Sequence, residues 1–122
     1  MNQLRVLVVD DDDAVREVAR EMLDALGCDV TSANTGKQAI ELVETAAQSA
    51  NPFALIFLDI GMPGMTGVEV HKKLRLTLPA QKIVFMTGFA EDDLSESRDE
   101  ATWILLKPFS LFSLADISRF ER

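Results

Sequence analysis

Acidic and basic side chains stand at the ends of three short apolar runs, where they could bind a cation and a phosphoryl group. Asp10 and Asp11 follow LRVLVV, and Asp59 follows ALIFL. Lys107 and Pro108 follow WILL. Carboxylate oxygens suit Mg²⁺, which prefers oxygen ligands in octahedral geometry, and a carboxylate can also attack phosphorus as a nucleophile. The residue types therefore predict a magnesium and phosphoryl site, with Asp59 as the nucleophile.

The elements that must position these residues alternate between strand and helix. Short apolar runs closed by turn signals are typical of buried parallel strands, and they predict strands at Arg5 to Val9, Asp29 to Ala33, Ala54 to Leu58, Lys82 to Met86 and Trp103 to Leu106. Helical periodicity predicts five helices: Val15 to Leu26, Gly36 to Gln48, just after Gly67 to Leu78, about Glu91 to Asp99, and Leu111 to about Phe120. Alternation of this kind predicts an α/β fold, a doubly wound five-stranded parallel sheet with helices on both faces. Ligand sites in such sheets form at the carboxyl ends of the strands.

Composition and charge narrow the class of protein. The chain has 122 residues, of which 48% are hydrophobic and 26% charged, as in an ordinary globular domain. Its apolar runs are too short to span a membrane, and its N-terminus has no signal-peptide pattern, so we expect a cytoplasmic protein. The net charge of −8 argues against direct binding to nucleic acid. The single cysteine, Cys28, is expected to be a partly buried small hydrophobe.

Two further residues have side chains or positions that suit a phosphoryl group. Thr87 closes the run KIVFM, and its hydroxyl could donate a hydrogen bond to a phosphoryl oxygen. Gly88 follows and leaves space for that oxygen. Lys107, which closes an apolar strand, either extends to solvent or faces an anion. Pro108 after it could form a cis peptide bond that fixes the direction of the lysine.

Other polar residues are predicted to have structural roles. Asp12 and Asp13 are expected to begin the first helix, since aspartate is favoured at a helix N-cap and in the first turn. Thr66 is expected to cap the third helix. His71, in the basic stretch HKKLR, is expected on a solvent-exposed helix face.

Four stretches in order, VLVVDDDDAVRE, LDIGMPGMTG, FMTG and LLKPF, together resemble the receiver domain of two-component response regulators. The resemblance runs from about Leu4 to Leu114. It implies a flavodoxin-like fold with strand order 2-1-3-4-5. It also implies a signalling switch, whose chemistry is limited to Mg²⁺-dependent self-phosphorylation and self-dephosphorylation.

The resemblance also implies roles for the acidic residues and their partners. Asp59 would accept the phosphoryl group from a phosphohistidine of a sensor histidine kinase or a histidine phosphotransfer protein. Asp10, in support, and Asp11 would hold Mg²⁺ together with Asp59, and the backbone carbonyl of Gly61 would be a further ligand. Lys107 would contact the phosphoryl group.

Conformational roles follow from the same resemblance. Thr87 would be the switch hydroxyl, next to Gly88. Pro108 and Ile104 are the candidate conformational residues: Pro108 could fix the direction of Lys107, and Ile104 occupies the position of the family's aromatic switch residue. Ile104 departs from the family, which commonly carries tyrosine or phenylalanine three residues before the lysine. The segment EDDLSESRDEATW is also about two residues shorter than usual. We therefore expect the fourth helix to be short.

The chain is expected to be a single receiver domain, residues 1–122, with no output domain. Its signal would then pass to a downstream protein effector, and a homodimer through the last two helices and the last strand is left open. Two alternatives stay open on the residues. One is a phosphorylation-independent interaction module on the same fold. The other is a Mg²⁺-dependent phosphatase, for which Gly61 supplies no acid or base beside the nucleophile.

Overall fold

The computed structural model describes residues 3–88 and 94–108 of the chain. Its five strands are β1 (Arg5–Val9), β2 (Asp29–Ala33), β3 (Leu55–Asp59), β4 (Ile83–Thr87) and β5 (Thr102–Leu106). Within the described ranges its α-helices are α1 (Asp13–Ala25), α2 (Gly36–Gln48) and α3 (Gly67–Thr77), and a 3₁₀ helix spans Ser95–Ser97. None of the helices in these ranges is long and apolar enough to cross a membrane.

The strands form one parallel sheet in the order β2-β1-β3-β4-β5, which confirms the predicted order. Every residue of β3 and β4 is buried, because helices cover both faces of a parallel sheet. Asp59 pairs with Met86 at the end of β3, and Thr87 pairs with Leu106 at the end of β4. This register brings the residues that end or follow the strands to a single edge of the sheet.

Two apolar clusters lie on opposite faces of the sheet, and alternation along each strand divides its residues between them. Phe85 and Ile104 belong to the cluster that contains residues of α2 and α3. Phe57 and Trp103 belong to the cluster that contains residues of α1. Ile104 and Trp103 therefore point to opposite faces, as the alternation predicts.

Side chains at the helix starts explain where the helices begin. Asp12 caps α1 and accepts hydrogen bonds from the backbone amides of Ala14 and Val15. Thr66 and Glu69 form a reciprocal capping box at the start of α3. The predicted structural roles of Asp12 and Thr66 are thus confirmed.

The region of the fourth predicted helix differs from the prediction. Its described part contains the short 3₁₀ helix Ser95–Ser97 and turns, with no α-helix. The reason is the lack of an apolar stripe, since Leu94 is the one large apolar side chain buried in residues 94–101. The predicted helix from Leu111 to about Phe120 lies outside the described residues.

Candidate functional site

Three carboxylates meet at the carboxyl edge of the sheet. Oxygen atoms of Asp10, Asp11 and Asp59 all lie within 4.8 Å of one another. Asp10 is fully buried and Asp59 is 8% exposed, while Asp11 is exposed to solvent. Carboxylates this close repel one another, so a cation among them stabilises the cluster.

Lys107 supplies a positive charge to this cluster. Its Nζ lies 2.9 Å from Asp10 Oδ2 and 2.9 Å from Asp59 Oδ1. Burial lowers the pKa of Lys107, but hydrogen bonds to the two carboxylates outweigh this effect and raise the pKa above its ordinary value. Burial also raises the pKa of Asp59, and the hydrogen bond from Lys107 offsets only part of that rise. The lysine therefore stays charged, while Asp59 lacks full charge compensation.

The strand ends fix the directions of these side chains. The backbone amide of Lys107 donates to the carbonyl of Thr87 over 2.7 Å, which ties the end of β5 to the end of β4. The carbonyl of Asp10 accepts from Arg16 Nη1 at 2.9 Å, and its Oδ1 accepts from the amide of Asp12 at 3.0 Å. Asp10 is thereby held from both its backbone and its side chain.

Gly67 fixes the backbone that follows Asp59. Its amide donates to the carbonyl of Ile60 at 3.0 Å, so the first turn of α3 rests on the end of β3. A Cβ atom on Gly67 would lie 2.3 Å from the carbonyl oxygen of Asp59. Only glycine permits this approach between the helix and the strand end.

A cleft of about 480 Å³ collects most of the predicted site residues. Its lining consists of Asp10, Asp11, Asp12, Asp59, Ile60, Gly61, Thr87, Gly88 and Lys107. A Cβ atom on Gly61 or Gly88 would meet no atom within 4 Å, so space is open beside Asp59. Pro108, joined to Lys107 by a cis peptide bond, lines a neighbouring apolar hollow, and Ile104 packs in the core.

The prediction that His71 is solvent-exposed is wrong. His71 is 4% exposed, its Nε2 lies 2.9 Å from Thr102 Oγ1, and its ring centroid is 5.2 Å from that of Phe85. Burial lowers the pKa of His71, with a further contribution from Arg75. The prediction followed from the two lysines beside His71, which are exposed although His71 is not. Helical spacing was the better signal, since His71 precedes the buried Leu74 by one turn.

Two residues that contribute to the site were not singled out from the sequence. Arg16 holds the carbonyl of Asp10, and it lies one turn of helix beyond Asp13. Gly67 packs on the end of β3, and the sequence signal was its place directly after the helix cap Thr66.

The family model for the response regulator receiver domain matches residues 6–118 of the chain. The chain therefore belongs to the response regulator receiver domain family. The sensor kinase CckA from Brucella abortus is 36% identical over 90% of the chain, which spans 12% of that protein. The response regulator receiver protein CpdR from the same organism is 33% identical over 92% of the chain and 91% of its own length.

A solved structure of similar fold is that of the response regulator TrrA from Thermotoga maritima in complex with Mg²⁺-BeF. It has a TM-score of 0.78, is 28% identical in sequence, and is matched over 97% of this chain and 98% of its own. Membership of the family makes the chain a phospho-accepting switch of two-component signalling. Receiver domains bind Mg²⁺ at an acidic pocket, and this chain has a cluster of three carboxylates there.

Proposed function

We propose that Asp59 accepts a phosphoryl group from a phosphohistidine of a sensor histidine kinase or a histidine phosphotransfer protein. The observation that supports this most strongly is the environment of Asp59 at the strand edge. It is nearly buried, it shares Lys107 with Asp10, and open space lies beside it in the cleft. Such an arrangement destabilises the folded protein unless a cation and a phosphoryl group bind to it.

The donors in the cleft fit Mg²⁺. Asp10, Asp11 and Asp59 supply hard carboxylate oxygens within 4.8 Å of one another, and Gly61 lines the same cleft with its backbone. In the proposal Asp11, Asp59 and the carbonyl of Gly61 hold the ion, with Asp10 in support. When bound, Mg²⁺ neutralises negative charge that develops on the phosphoryl oxygens during transfer.

In the transfer step, an oxygen of Asp59 attacks phosphorus opposite the histidine nitrogen of the donor. The O–P bond forms as the P–N bond breaks, and the donor nitrogen keeps the electron pair of the broken bond. Lys107 Nζ already lies next to Asp59 before the transfer, and it can donate hydrogen bonds to the oxygens of the incoming phosphoryl group. The chain contributes position and charge, and hydrolysis of the aspartyl phosphate later resets it.

The phosphoryl group then changes the balance between two conformations. It adds about −1.5 to −2 charge at the sheet edge. The Thr87 hydroxyl and Lys107 turn towards it, and the link between their backbones carries the change to the end of β5. Ile104 and Pro108 lie on or next to that strand. Residues 1–122 act as one receiver domain in this proposal, and the surface around β5 passes the signal to a protein effector or a second copy of the chain.

The proposal is tested by intact mass spectrometry after incubation with Mg²⁺ and acetyl phosphate. We expect a gain of one alkali-labile phosphoryl group, absent without Mg²⁺ and absent in Asp59→Asn. Asp24→Asn is the matched control, because Asp24 is an exposed carboxylate of α1 that does not line the cleft. It should be labelled like the wild type.

Two results would contradict the proposal. One is a wild-type protein that gains no phosphoryl group from acetyl phosphate or from phosphorylated kinases. The other is an Asp59→Asn variant that is labelled as fully as the wild type.

A further inference from the structure

A second group of polar side chains lies at the amino-terminal end of β5, whereas the acidic cleft lies at the carboxyl ends of the strands. His71 and Arg75 come from α3, Asp99 precedes β5, and Thr102 is the first residue of β5. We call these four residues the β5 latch. No step of the proposed phosphoryl transfer uses them, and Asp99 and Thr102 are far in sequence from His71 and Arg75.

Arg75 is the main connector of the β5 latch. Its Nε lies 2.8 Å from Asp99 Oδ2, and its Nη2 lies 3.2 Å from Asp99 Oδ1, so the pair is bidentate. The same guanidinium donates to the carbonyls of Leu78, Gln81 and Ala101 at 3.2, 2.7 and 3.2 Å. The Arg75 side chain is only 15% exposed, and hydrogen bonding to it holds the pKa of Asp99 well below its usual range.

The hydroxyl of Thr102 determines which groups donate and which accept in the other hydrogen bonds of the β5 latch. It donates its single hydrogen to Asp99 Oδ1 at 2.7 Å. It must therefore accept from Arg75 Nη2 at 3.1 Å and from His71 Nε2 at 2.9 Å. His71 is then the neutral Nε2–H tautomer, in agreement with its burial.

The β5 strand needs such a latch because its own sequence specifies its register weakly. Within the described residues β5 pairs only with β4, at the edge of the sheet. The residues Trp103 to Leu106 are all apolar, so a slip of one residue would still present apolar side chains to both faces. Thr102 is the polar residue of the strand, and its hydrogen bonds are directional.

The register of β5 determines where Lys107 lies. A slip of one residue would move Lys107 by about 3.3 Å along the strand. Its Nζ hydrogen bonds to Asp10 and Asp59, both 2.9 Å now, would then be lost. We propose that the β5 latch is a positioning device, which fixes the register of β5 and so places Lys107 against the phosphoryl site. The link to phosphoryl transfer rests on the proposed function.

The test compares two substitutions at Thr102. Thr102→Val removes the hydroxyl but keeps the shape and the β-branching, and Thr102→Ser keeps the hydroxyl. The β4–β5 register is read from backbone NMR contacts across the pairs Ile83–Thr102 and Thr87–Leu106. The rate of phosphorylation by acetyl phosphate with Mg²⁺ is measured on the same proteins, at a temperature where each is folded.

We expect Thr102→Val to show a second set of β5 signals and about a tenfold lower rate. A misplacement of 1 Å can already cost about 10²-fold, and the slipped molecules misplace Lys107 by about 3.3 Å. Thr102→Ser should restore one register and the wild-type rate. Val43→Ala is the control for a loss of stability alone. Val43 is a buried residue of α2, and its apolar side chain takes no part in the hydrogen bonds of the β5 latch. It should lower the melting temperature without changing the register or the rate.

A single wild-type register in Thr102→Val would overturn the inference, as would a His71 whose ¹⁵N shifts identify the Nδ1–H tautomer. An equal loss of rate in Val43→Ala would also overturn it. If the wild type cannot be phosphorylated at all, the proposed function fails instead, and the register and tautomer measurements still decide the latch.

Discussion

At the residue scale, Lys107 and Mg²⁺ would bind the same carboxylates in the proposed site and would compete for them. The lysine forms ion pairs with both Asp10 and Asp59, with each Nζ–oxygen distance at 2.9 Å, so one positive charge is shared between two carboxylates. The carboxylate of Asp10 is 1% exposed and cannot recover its hydration when the lysine leaves. In the proposed function, the carboxylates would therefore bind either Lys107 or Mg²⁺, and neither cation alone would compensate all of their charge.

Replacing Lys107 tests that balance. Breaking a buried ion pair costs about 3–5 kcal/mol, and because the Lys107 side chain is 22% exposed we expect Lys107→Ala to lose about 2 kcal/mol without Mg²⁺. Mg²⁺ should then raise the melting temperature of the variant more than that of the wild type. Thermal unfolding with and without Mg²⁺ measures both effects. Lys73→Ala, at an exposed position, should match the wild type, and an equal or smaller Mg²⁺ response in Lys107→Ala would contradict the competition.

His71 makes stability depend on pH. Burial lowers its pKa in the folded state, so the unfolded chain binds a proton first as the pH falls below about 6.5. Stability is complete above that pH and declines as the pH decreases, by up to roughly 1.4 kcal/mol per pH unit. Replacing His71 with leucine should reduce the decline, measured by urea unfolding at pH 7.5 and 5.5. An unchanged slope would show that His71 is protonated equally in both states.

At the scale of elements, close contacts at two helix starts connect α2 to α3 and α3 to the end of β3. Gly36 of α2 approaches Val70 of α3, and Gly67 of α3 approaches the backbone of Asp59. Helix position and site geometry are thus coupled through contacts that leave no room for a methyl group. The backbone of Asp59 is therefore in contact with α3 as well as being part of β3.

Replacing each of two glycines with alanine distinguishes this coupling from a general effect of substitution. Gly67→Ala places a methyl group against backbone, so we expect about 2–3 kcal/mol lower stability and a large loss of phosphorylation. Gly88→Ala meets no atom within 4 Å and should stay within about 0.5 kcal/mol of the wild type. Chemical denaturation measures the stability of both variants, and labelling with acetyl phosphate compares Gly67→Ala with the wild type only, because Gly88 lines the cleft. Equal stability of the two variants would contradict the coupling.

The sequence predicted elements well where apolar runs and caps gave local signals. The apolar runs placed β1 and β2 correctly, and Asp12 and Thr66 marked the starts of α1 and α3. The region before β5 has no such signal, and the predicted α-helix is replaced there by Ser95–Ser97 and turns. Helical spacing with Leu74 indicates the buried position of His71, but local pattern cannot supply its hydrogen-bond partner Thr102, which lies 31 residues away.

At the scale of the whole molecule, one sheet joins the two apolar clusters into a single folding unit. Each cluster includes residues from β1, β3, β4 and β5, so neither can form without the sheet. The predicted site residues at the carboxyl edge could be grouped from the sequence because parallel strands end together. Their pairing through Lys107 needed the order of the strands, which came only from the family resemblance.

The shared sheet predicts cooperative unfolding. Trp103, the single tryptophan, lies on β5 and packs against the cluster that includes α1. Its fluorescence and the far-ultraviolet circular dichroism should therefore follow the same urea transition. Separate midpoints would show that β5 unfolds independently of the rest of the sheet.

The identity of the phosphorylated residue is the most direct test of the proposed chemistry. Borohydride reduces an aspartyl phosphate to homoserine, which tandem mass spectrometry locates by residue after proteolysis. With Mg²⁺ and acetyl phosphate, we expect homoserine at position 59 and at no other aspartate. Homoserine at position 10 or 11, or its absence from a protein that has gained a phosphoryl group, would contradict the assignment of Asp59 as the phosphoacceptor.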